Sequence, residues 1–201
     1  MNKPTSSLLF ISLAVFLLAC NQTPIYTPKP RAYPRVIFPV KSFQNFKESG
    51  CPFTFIIPEY THIEKETSFF EAPLENDCWF DLVYPQFDAR LHCSYFDMTI
   101  EQNSFEKLKT DAFKMADWHN KRANYIDEFP INHHEAQIAG YLFFIEGPAA
   151  TPLQFYITDS TQHFLRGALY FNQAMEPDSM APIYDFIRLD ILTMIESLQW
   201  D

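Results

Sequence analysis

Asp159, Ser160 and His163 are the residues whose types most readily suggest chemistry. A carboxylate, a hydroxyl and an imidazole are the parts of a nucleophilic triad. Their spacing argues against one. A nucleophile elbow needs Gly-x-Ser-x-Gly between a strand and a helix. Here Asp159-Ser160-Thr161-Gln162 closes a predicted hairpin, and Asp and Ser in turns bond their own backbone. With Arg166, the three are assigned to an interaction and turn patch. Arg166 itself is expected to pair with a carboxylate across the strands. His133-His134-Glu135 is the second candidate, as a metal site. Adjacent strand residues face opposite ways, so the two histidines do not easily share one ion. The cluster reads as the polar start of a strand, since a metal would need His119, His92 or distant carboxylates as well. No catalytic residue, metal set or cofactor is assigned. The chain has four glycines and neither GxGxxG nor GxxxxGK[ST], which excludes glycine-built phosphate loops.

The cysteines carry a different chemistry. Leu17-Leu18-Ala19-Cys20 has the form of a bacterial lipobox, with a small residue before the cut and a thiol after it. Lys3 and the apolar stretch Leu8 to Leu18 precede it, interrupted by Ser12. That stretch is shorter than the roughly 20 apolar residues a spanning helix needs, and it reads as a signal peptide over residues 1–19. The Cys20 thiolate would take diacylglycerol, and cleavage would free an amine for a further acyl chain. Several chains anchor stably where one is marginal. An ordinary secretory signal with Cys20 in a disulfide is the alternative. Export implies an oxidising compartment, where disulfides persist. Cys51, Cys78 and Cys93 then allow one bridge and one leftover thiol. Cys51–Cys78 is the pairing favoured, two free buried thiols are the alternative, and Cys93 lies within a strand pattern.

Steps outward lead to the elements. Residues 20–41 form a lipidated, proline-rich tether, with Pro24, Pro28, Pro30, Pro34 and Pro39. Such a segment prefers extended polyproline geometry and reaches at most about 60 Å. Tyr26, Lys29, Arg31, Tyr33 and Arg35 interleave aromatics with cations there. Two readings fit: the arm docks back on its own acidic domain, or these five residues dock a partner. Residues 42–201 read as a single domain. Ser42 to Glu48 suggests a helical turn. Phe53 to Ile57, Trp79 to Tyr84 and Arg90 to Asp97 read as strands, the last with Leu91, Cys93 and Tyr95 on one face. Asn103 and Glu106 resemble a capping box for a helix to about Arg122. Phe105, Leu108, Ala112, Met115 and His119 follow there at helical spacing. Glu135 to Glu146 reads as a strand, and Leu153 to Thr158 with Phe164 to Phe171 as a hairpin. A last helix follows Pro177, with Ser179 as cap, Pro182 in its first turn, and a stripe of Met180, Ile183, Ile187, Ile191, Met194 and Leu198. Strands, helix, strands, helix predicts an α+β fold, a mostly antiparallel sheet with helices packed on it.

Composition agrees with a folded chain: 47% apolar, 17% aromatic, with 21 Phe. The formal charge of −10 repels nucleic acid and anionic membrane surfaces.

Several segments also resemble a known family. Thr27-Pro28-Lys29-Pro30-Arg31-Ala32-Tyr33 leads to Cys51-Pro52-Phe53-Thr54-Phe55 and Cys78-Trp79-Phe80. Gln154 to Ser160 and His163-Phe164-Leu165-Arg166-Gly167-Ala168-Leu169-Tyr170-Phe171 complete the set. Together they resemble the GldD family of gliding-motility lipoproteins from the Bacteroidota. The resemblance implies an envelope lipoprotein without recognised catalytic residues, coupled to type IX secretion, whose partners are other envelope lipoproteins. The arrangement of elements also resembles the Mog1/PsbP type of α/β/α sandwich, at the level of fold only. Asn21-Gln22-Thr23 lacks the acidic residues that surface-exported lipoproteins carry after the lipidated Cys, so an outer-membrane position facing the periplasm is expected. Asp159-Ser160-Thr161 and Asp178-Ser179-Met180 resemble short O-glycosylation sequons. A solute- or glycan-binding lipoprotein is the alternative function. It predicts a concave pocket with exposed Trp79, Trp118 or Tyr side chains.

Overall fold

Alternation of apolar and polar residues builds most of the protein. The computed structural model describes residues 35–65, 68–69, 72–73, 77–172 and 177–201. Cys20, Tyr26, Lys29, Arg31, Tyr33 and the signal segment lie outside the described residues. In chain order the elements begin with β1 (Phe43–Lys47), β2 (Phe53–Pro58), β3 (His62–Lys65), β4 (Ser68–Phe69), β5 (Ala72–Pro73), β6 (Phe80–Tyr84) and β7 (Ala89–Asp97). Helix α1 (Phe105–Asp117) follows, then β8 (Tyr125–His133), β9 (Ile138–Glu146), β10 (Leu153–Thr158) and β11 (His163–Phe171). Helix α2 (Pro177–Ser197) and β12 (Gln199–Trp200) close the chain.

Seven strands form one sheet in the order β3-β6-β7-β11-β10-β9-β8, and every pairing in it is antiparallel. A second sheet has the order β1-β2-β12, and β4 pairs with β5. The large sheet has two faces of different character. Leu91, Cys93 and Tyr95 of β7, Leu153, Phe155 and Ile157 of β10, and Leu165 and Leu169 of β11 point to one side. There they meet Ile187, Ile191, Met194 and Leu198 of α2 and Phe53, Phe55 and Ile57 of β2. On the other side Phe143, Tyr156 and Phe164 pack against Leu108, Ala112 and Ala116 of α1. The result is the expected α+β fold: helix, antiparallel sheet, then helix with a small sheet. Cys51 and Cys78 are bridged, with Cα atoms 5.6 Å apart, and Cys93 is buried and free.

Several local expectations change. Ser42 to Glu48 is not a helical turn. Residues 43–47 are strand β1, paired with β2 from Phe43↔Pro58 to Lys47↔Thr54. Two Phe at i, i+3 fit a turn of helix, but an isolated turn is costly to nucleate. Pairing supplies the backbone bonds instead, and Phe46 stacks on Phe55 at 4.7 Å. The capping box at Asn103 does not form, because Ser104 is the N-cap. Asn103 is buried, and its Nδ2 donates to the Asp97 carbonyl, tying the loop to the end of β7. Strand β8 carries no clean alternation, owing to Asp127, Glu128 and Pro130. It lies at the edge of the sheet, where a proline without an N–H is harmless. The strand expected from Glu135 begins at Ile138. His134–Ala136 form a 3-10 turn, and Gln137 follows in the left-handed region at φ 52°. Helix α2 begins at Pro177, so Ser179 lies inside its first turn rather than capping it.

The domain also starts earlier than Ser42. The second compact unit of the chain runs from Pro34 to Asp201. Phe38 packs 4.8 Å from Phe186 and 5.9 Å from Phe87. Lys41 Nζ donates to the Phe186 carbonyl at 3.0 Å and to Asp190 Oδ1 at 2.5 Å. Residues assigned to the end of the tether are therefore packed on the domain, while Arg35 is exposed.

Candidate functional site

The Asp159 turn is structural. Its Oδ1 accepts the backbone N–H groups of Thr161, Gln162 and His163 at 2.8–2.9 Å, and Oδ2 accepts the Thr161 hydroxyl at 2.8 Å. Burial pushes this carboxyl up, but those N–H groups outweigh it and hold it below the usual carboxylate value. Asp159 thus bonds the backbone of His163, not its ring. The ring nitrogen Nδ1 instead pairs with the Tyr95 hydroxyl at 2.8 Å, and the ring stacks on Trp200. Ser160 sits at φ 68° to complete the turn. No triad geometry results. Nor do the four patch residues share a face: Arg166 is three positions from His163 on β11, on the opposite side of the sheet.

That opposite side holds the site the sequence did not assemble. Helix α1 covers one half of the outer sheet face and leaves the other half open. The parity that sends Leu91, Cys93 and Tyr95 inward sends Arg90, His92 and Ser94 outward, beside Asp81 of β6, Gln154 of β10 and Arg166 of β11. A groove of about 680 Å3 runs between this polar floor and α1. Trp79, Phe96, Met115, Trp118, His119 and Tyr170 help to line it.

Two hydrogen-bonded sets make up the floor. In the first, the buried Asp81 carboxylate accepts from Arg90 Nη1 at 2.8 Å and pairs with His92 Nδ1 at 2.8 Å. Burial raises this carboxyl, but His92 and then Arg90 bring it below its ordinary value. In the second, Arg166 Nη2 donates to Gln154 Oε1 at 3.3 Å. Gln154 Nε2 donates to Thr151 Oγ1 at 2.8 Å, and Thr151 Oγ1 lies 2.9 Å from His119 Nε2. A guanidinium only donates, so the Gln154 amide is fixed in orientation. The Thr151 oxygen accepts from that amide, which leaves its own hydrogen for His119 Nε2. Burial, and then the Arg166 charge, lower the His119 pKa, consistent with a neutral ring accepting that hydrogen.

Arg166 does not pair with a carboxylate as expected. Among the described residues its hydrogen-bond partner is the neutral Gln154. Burial depresses its own pKa, and the offsetting interaction among the described residues is with Tyr170, not with a carboxylate. Asp111, also in the groove lining, is engaged by Lys114 at 3.8 Å. Met115 of α1 is 44% exposed and Trp118, in the 3-10 turn Trp118–Lys121 that follows α1, is 66% exposed, so two large apolar side chains stand open to water beside Asp111 and Lys114. Lys121 Nζ lies 3.4 Å above the Trp118 ring. Gln154 and Thr151 were not candidates from sequence, and His119 was named there only as a further ligand that a metal at His133-His134-Glu135 would need. Gln154 carried one usable signal, as a polar residue between Leu153 and Phe155 in a strand. Among the described residues no group of three or more His, Cys, Asp and Glu is placed to hold a metal ion. No helix there is long and apolar enough to cross a membrane.

Fold and groove define a class: an antiparallel α+β domain with a half-covered sheet, a polar floor and an aromatic rim. Residues 23–200 match the family described as gliding motility lipoprotein GldD, and the chain belongs to that family. It is thus a gliding motility lipoprotein, of a family whose members are membrane-anchored. No curated protein matches the chain. Among solved structures it is similar to the cyanobacterial PsbP protein CyanoP of Synechocystis sp. PCC 6803, at 10% identity and a TM-score of 0.48, covering 87% of this chain and 100% of that one. It is also similar to the Saccharomyces cerevisiae Ran-binding protein Mog1p, at 9% identity and a TM-score of 0.46, covering 80% of this chain and 96% of that one.

Proposed function

We propose that this chain is a non-enzymatic lipoprotein that supports gliding motility and the associated type IX secretion machinery through contacts with other envelope lipoproteins. Lipid on Cys20 anchors it to the outer membrane, facing the periplasm. The observation that carries this reading is the family match over residues 23–200, which takes in nearly the whole chain after the signal segment. The open groove with exposed Trp118 and Met115 supports a contact role, because such surfaces on soluble domains mark binding sites. In this reading Tyr26, Lys29, Arg31, Tyr33 and Arg35 form a second docking element next to the anchor.

A deletion strain tests it. Loss of the chain is expected to abolish gliding and to lower the amounts of partner lipoproteins in the envelope. Normal gliding with normal partner levels would overturn it. A crosslinking pull-down comparing wild type with Arg31→Ala, Arg35→Ala separates the arm from the groove. Partners lost with that variant assign docking to the arm.

One observation favours a second reading, a solute- or glycan-binding lipoprotein. Trp79, Trp118 and Tyr170 line the same groove, whose volume lies in the range of small-molecule sites. A thermal shift with oligosaccharides and none with protein partners would select it.

A further inference from the structure

Among the described residues, Arg166 is a cation held in place by a neutral amide and not by an anion. Its neighbour Gln154 is buried and locked by Thr151, which is itself buried and bonded to His119. The hydrogen-bonded chain from the 3-10 turn after α1 to the sheet therefore fixes the guanidinium before any ligand arrives. A guanidinium has five N–H donors in a rigid fork. Here one hydrogen bond, 3.3 Å long, is made to a neutral amide. The neighbouring Arg90 differs, since its charge is met by Asp81 at 2.8 Å. In a chain of formal charge −10 with Asp+Glu 25, a half-buried arginine lacking a carboxylate partner among the described residues is out of keeping with the rest of the surface. Burial without a counter-charge is costly, so the geometry is suited to a group that arrives with its own negative charge.

We propose that this groove receives a carboxylate presented on an extended peptide segment of a partner protein, with Arg166 binding the carboxylate and Met115, Trp118 and Tyr170 covering the apolar side chains on either side of it. The proposal rests on the reading of the chain as a partner-contacting lipoprotein and names the contact. Three features select the occupant. First, the bidentate fork of an arginine matches a carboxylate, and the other lysine or arginine lining the groove, Lys114, already lies 3.8 Å from the Asp111 carboxylate, which leaves Arg166 to meet a single negative charge. Second, the groove is open along one side. Small-molecule sites bury about 70–90% of their ligand, whereas a peptide can leave its outer side on its own protein. Third, the rim residues Trp118, Met115 and Tyr170 are exposed by 66%, 44% and 37%, forming a border of large side chains of the kind that anchor interfaces. The protein's own arm is a poor occupant, since Lys29, Arg31 and Arg35 would face Arg166 with like charge.

The test uses the full lipidated chain in detergent micelles and fluorescently labelled, N-acetylated pentapeptides. Each carries one Asp or Glu between Leu or Phe residues. Matched peptides carry Asn or Gln instead, and phenylacetate serves as a free small acid. Fluorescence polarisation is expected to show that acidic peptides bind at least about tenfold tighter than their amide counterparts, with affinity falling as salt rises. Arg166→Gln should remove that preference. Trp118→Ala, at an exposed position that does not endanger folding, should weaken all the peptides together. Equal binding of acid and amide peptides, or no binding, overturns the proposal. Phenylacetate binding as tightly as the peptides also overturns it, in favour of a small-acid site. Gliding of the deletion strain separates this inference from the reading beneath it. If that strain fails to glide and acidic peptides do not bind, the groove inference falls and the family reading stands. If the strain glides normally, the partner-contact reading falls whatever the peptides do.

Discussion

Asp159 and Asp81 show how this chain spends carboxylates on holding itself together. Each is partly or wholly buried, and each is held below its ordinary pKa, Asp159 by the N–H groups of its own turn and Asp81 by His92 and Arg90. A carboxyl whose folded pKa lies below the unfolded value of about 3.9 adds stability above that value. That stability is lost as pH falls through the depressed folded value. The urea midpoint is therefore expected to fall steeply between about pH 4 and pH 2. Asp159→Asn should cost about 1–2 kcal/mol at neutral pH and flatten the acid limb. An unchanged acid limb in that variant would show that the turn carries none of the effect. Legibility at this scale divides by range. The turn role of Asp159 follows from residue type and neighbours alone. The partner of Arg166 does not, because Gln154 and Thr151 reach it through strand register and one loop. Parity on β7 put His92 and Ser94 on the face opposite Cys93, but nothing in the sequence says which half of that face α1 covers.

Strands here are fitted to each other at two glycines. A Cβ on Gly140 of β9 would stand 1.9 Å from the Tyr156 carbonyl oxygen of β10. Backbone cannot yield there, so Gly140→Ala is expected to cost more than about 3 kcal/mol. On β11, a Cβ at Gly167 would stand 2.2 Å from the Phe155 ring, and the two residues are directly paired across the strands. That obstacle is a side chain. Gly167→Ala should therefore be costly alone and markedly cheaper in a Phe155→Leu background. A double-mutant cycle by denaturant unfolding reads the difference, and additive costs would remove the ring from the explanation. The bridge between Cys51 and Cys78 acts at the same scale. It closes a loop over 27 residues, and its reduction is expected to lower stability by about 3–4 kcal/mol in denaturant titrations with and without reductant. Elements with regular alternation, such as β7, β10 and β11, are readable from sequence. The corners that join some of them are not. The β6–β7 and β8–β9 corners are each a three-residue 3-10 turn ended by a left-handed residue, Asp88 at φ 48° and Gln137 at φ 52°. Neither position is a glycine, so the usual signal for such a corner is missing. Strand β1 escaped for another reason, since its stability lies in pairing with β2 and not in its own pattern.

At the scale of the whole molecule, residues 36–41 bind the start of the domain to its last helix. Phe38 packs against both Phe87 and Phe186, which also touch each other, Lys41 lies 4.1 Å over the Phe186 ring, and Lys41 meets Asp190. Asp190 is 1% exposed and also accepts the Tyr60 hydroxyl at 2.6 Å. Sequence reading placed the domain boundary at Ser42 because prolines dominate up to Pro39. It missed this strap because its partners lie about 150 residues away in the chain, at positions 186 and 190. Burial raises the Asp190 carboxyl, and Lys41 and Tyr60 offset only part of that. A carboxyl whose folded pKa lies above the unfolded value contributes stability that is fully present below the unfolded pKa. That contribution is lost as pH rises through the folded pKa. Lys41→Ala removes the counter-charge and should push the folded pKa higher still. The deficit of the variant is therefore expected to be small near about pH 3, where the carboxyl is protonated, and to grow towards neutral pH. Lys41 is partly exposed, so the full deficit should reach only about 1–3 kcal/mol. Adding Asp190→Asn should recover part of it, because an amide needs no counter-charge in that position. Melting temperatures of the three chains across this range decide the matter. A deficit that does not change with pH would mean that the strap holds through Phe38 and the ring contacts alone, with the ion pair contributing nothing to the attachment.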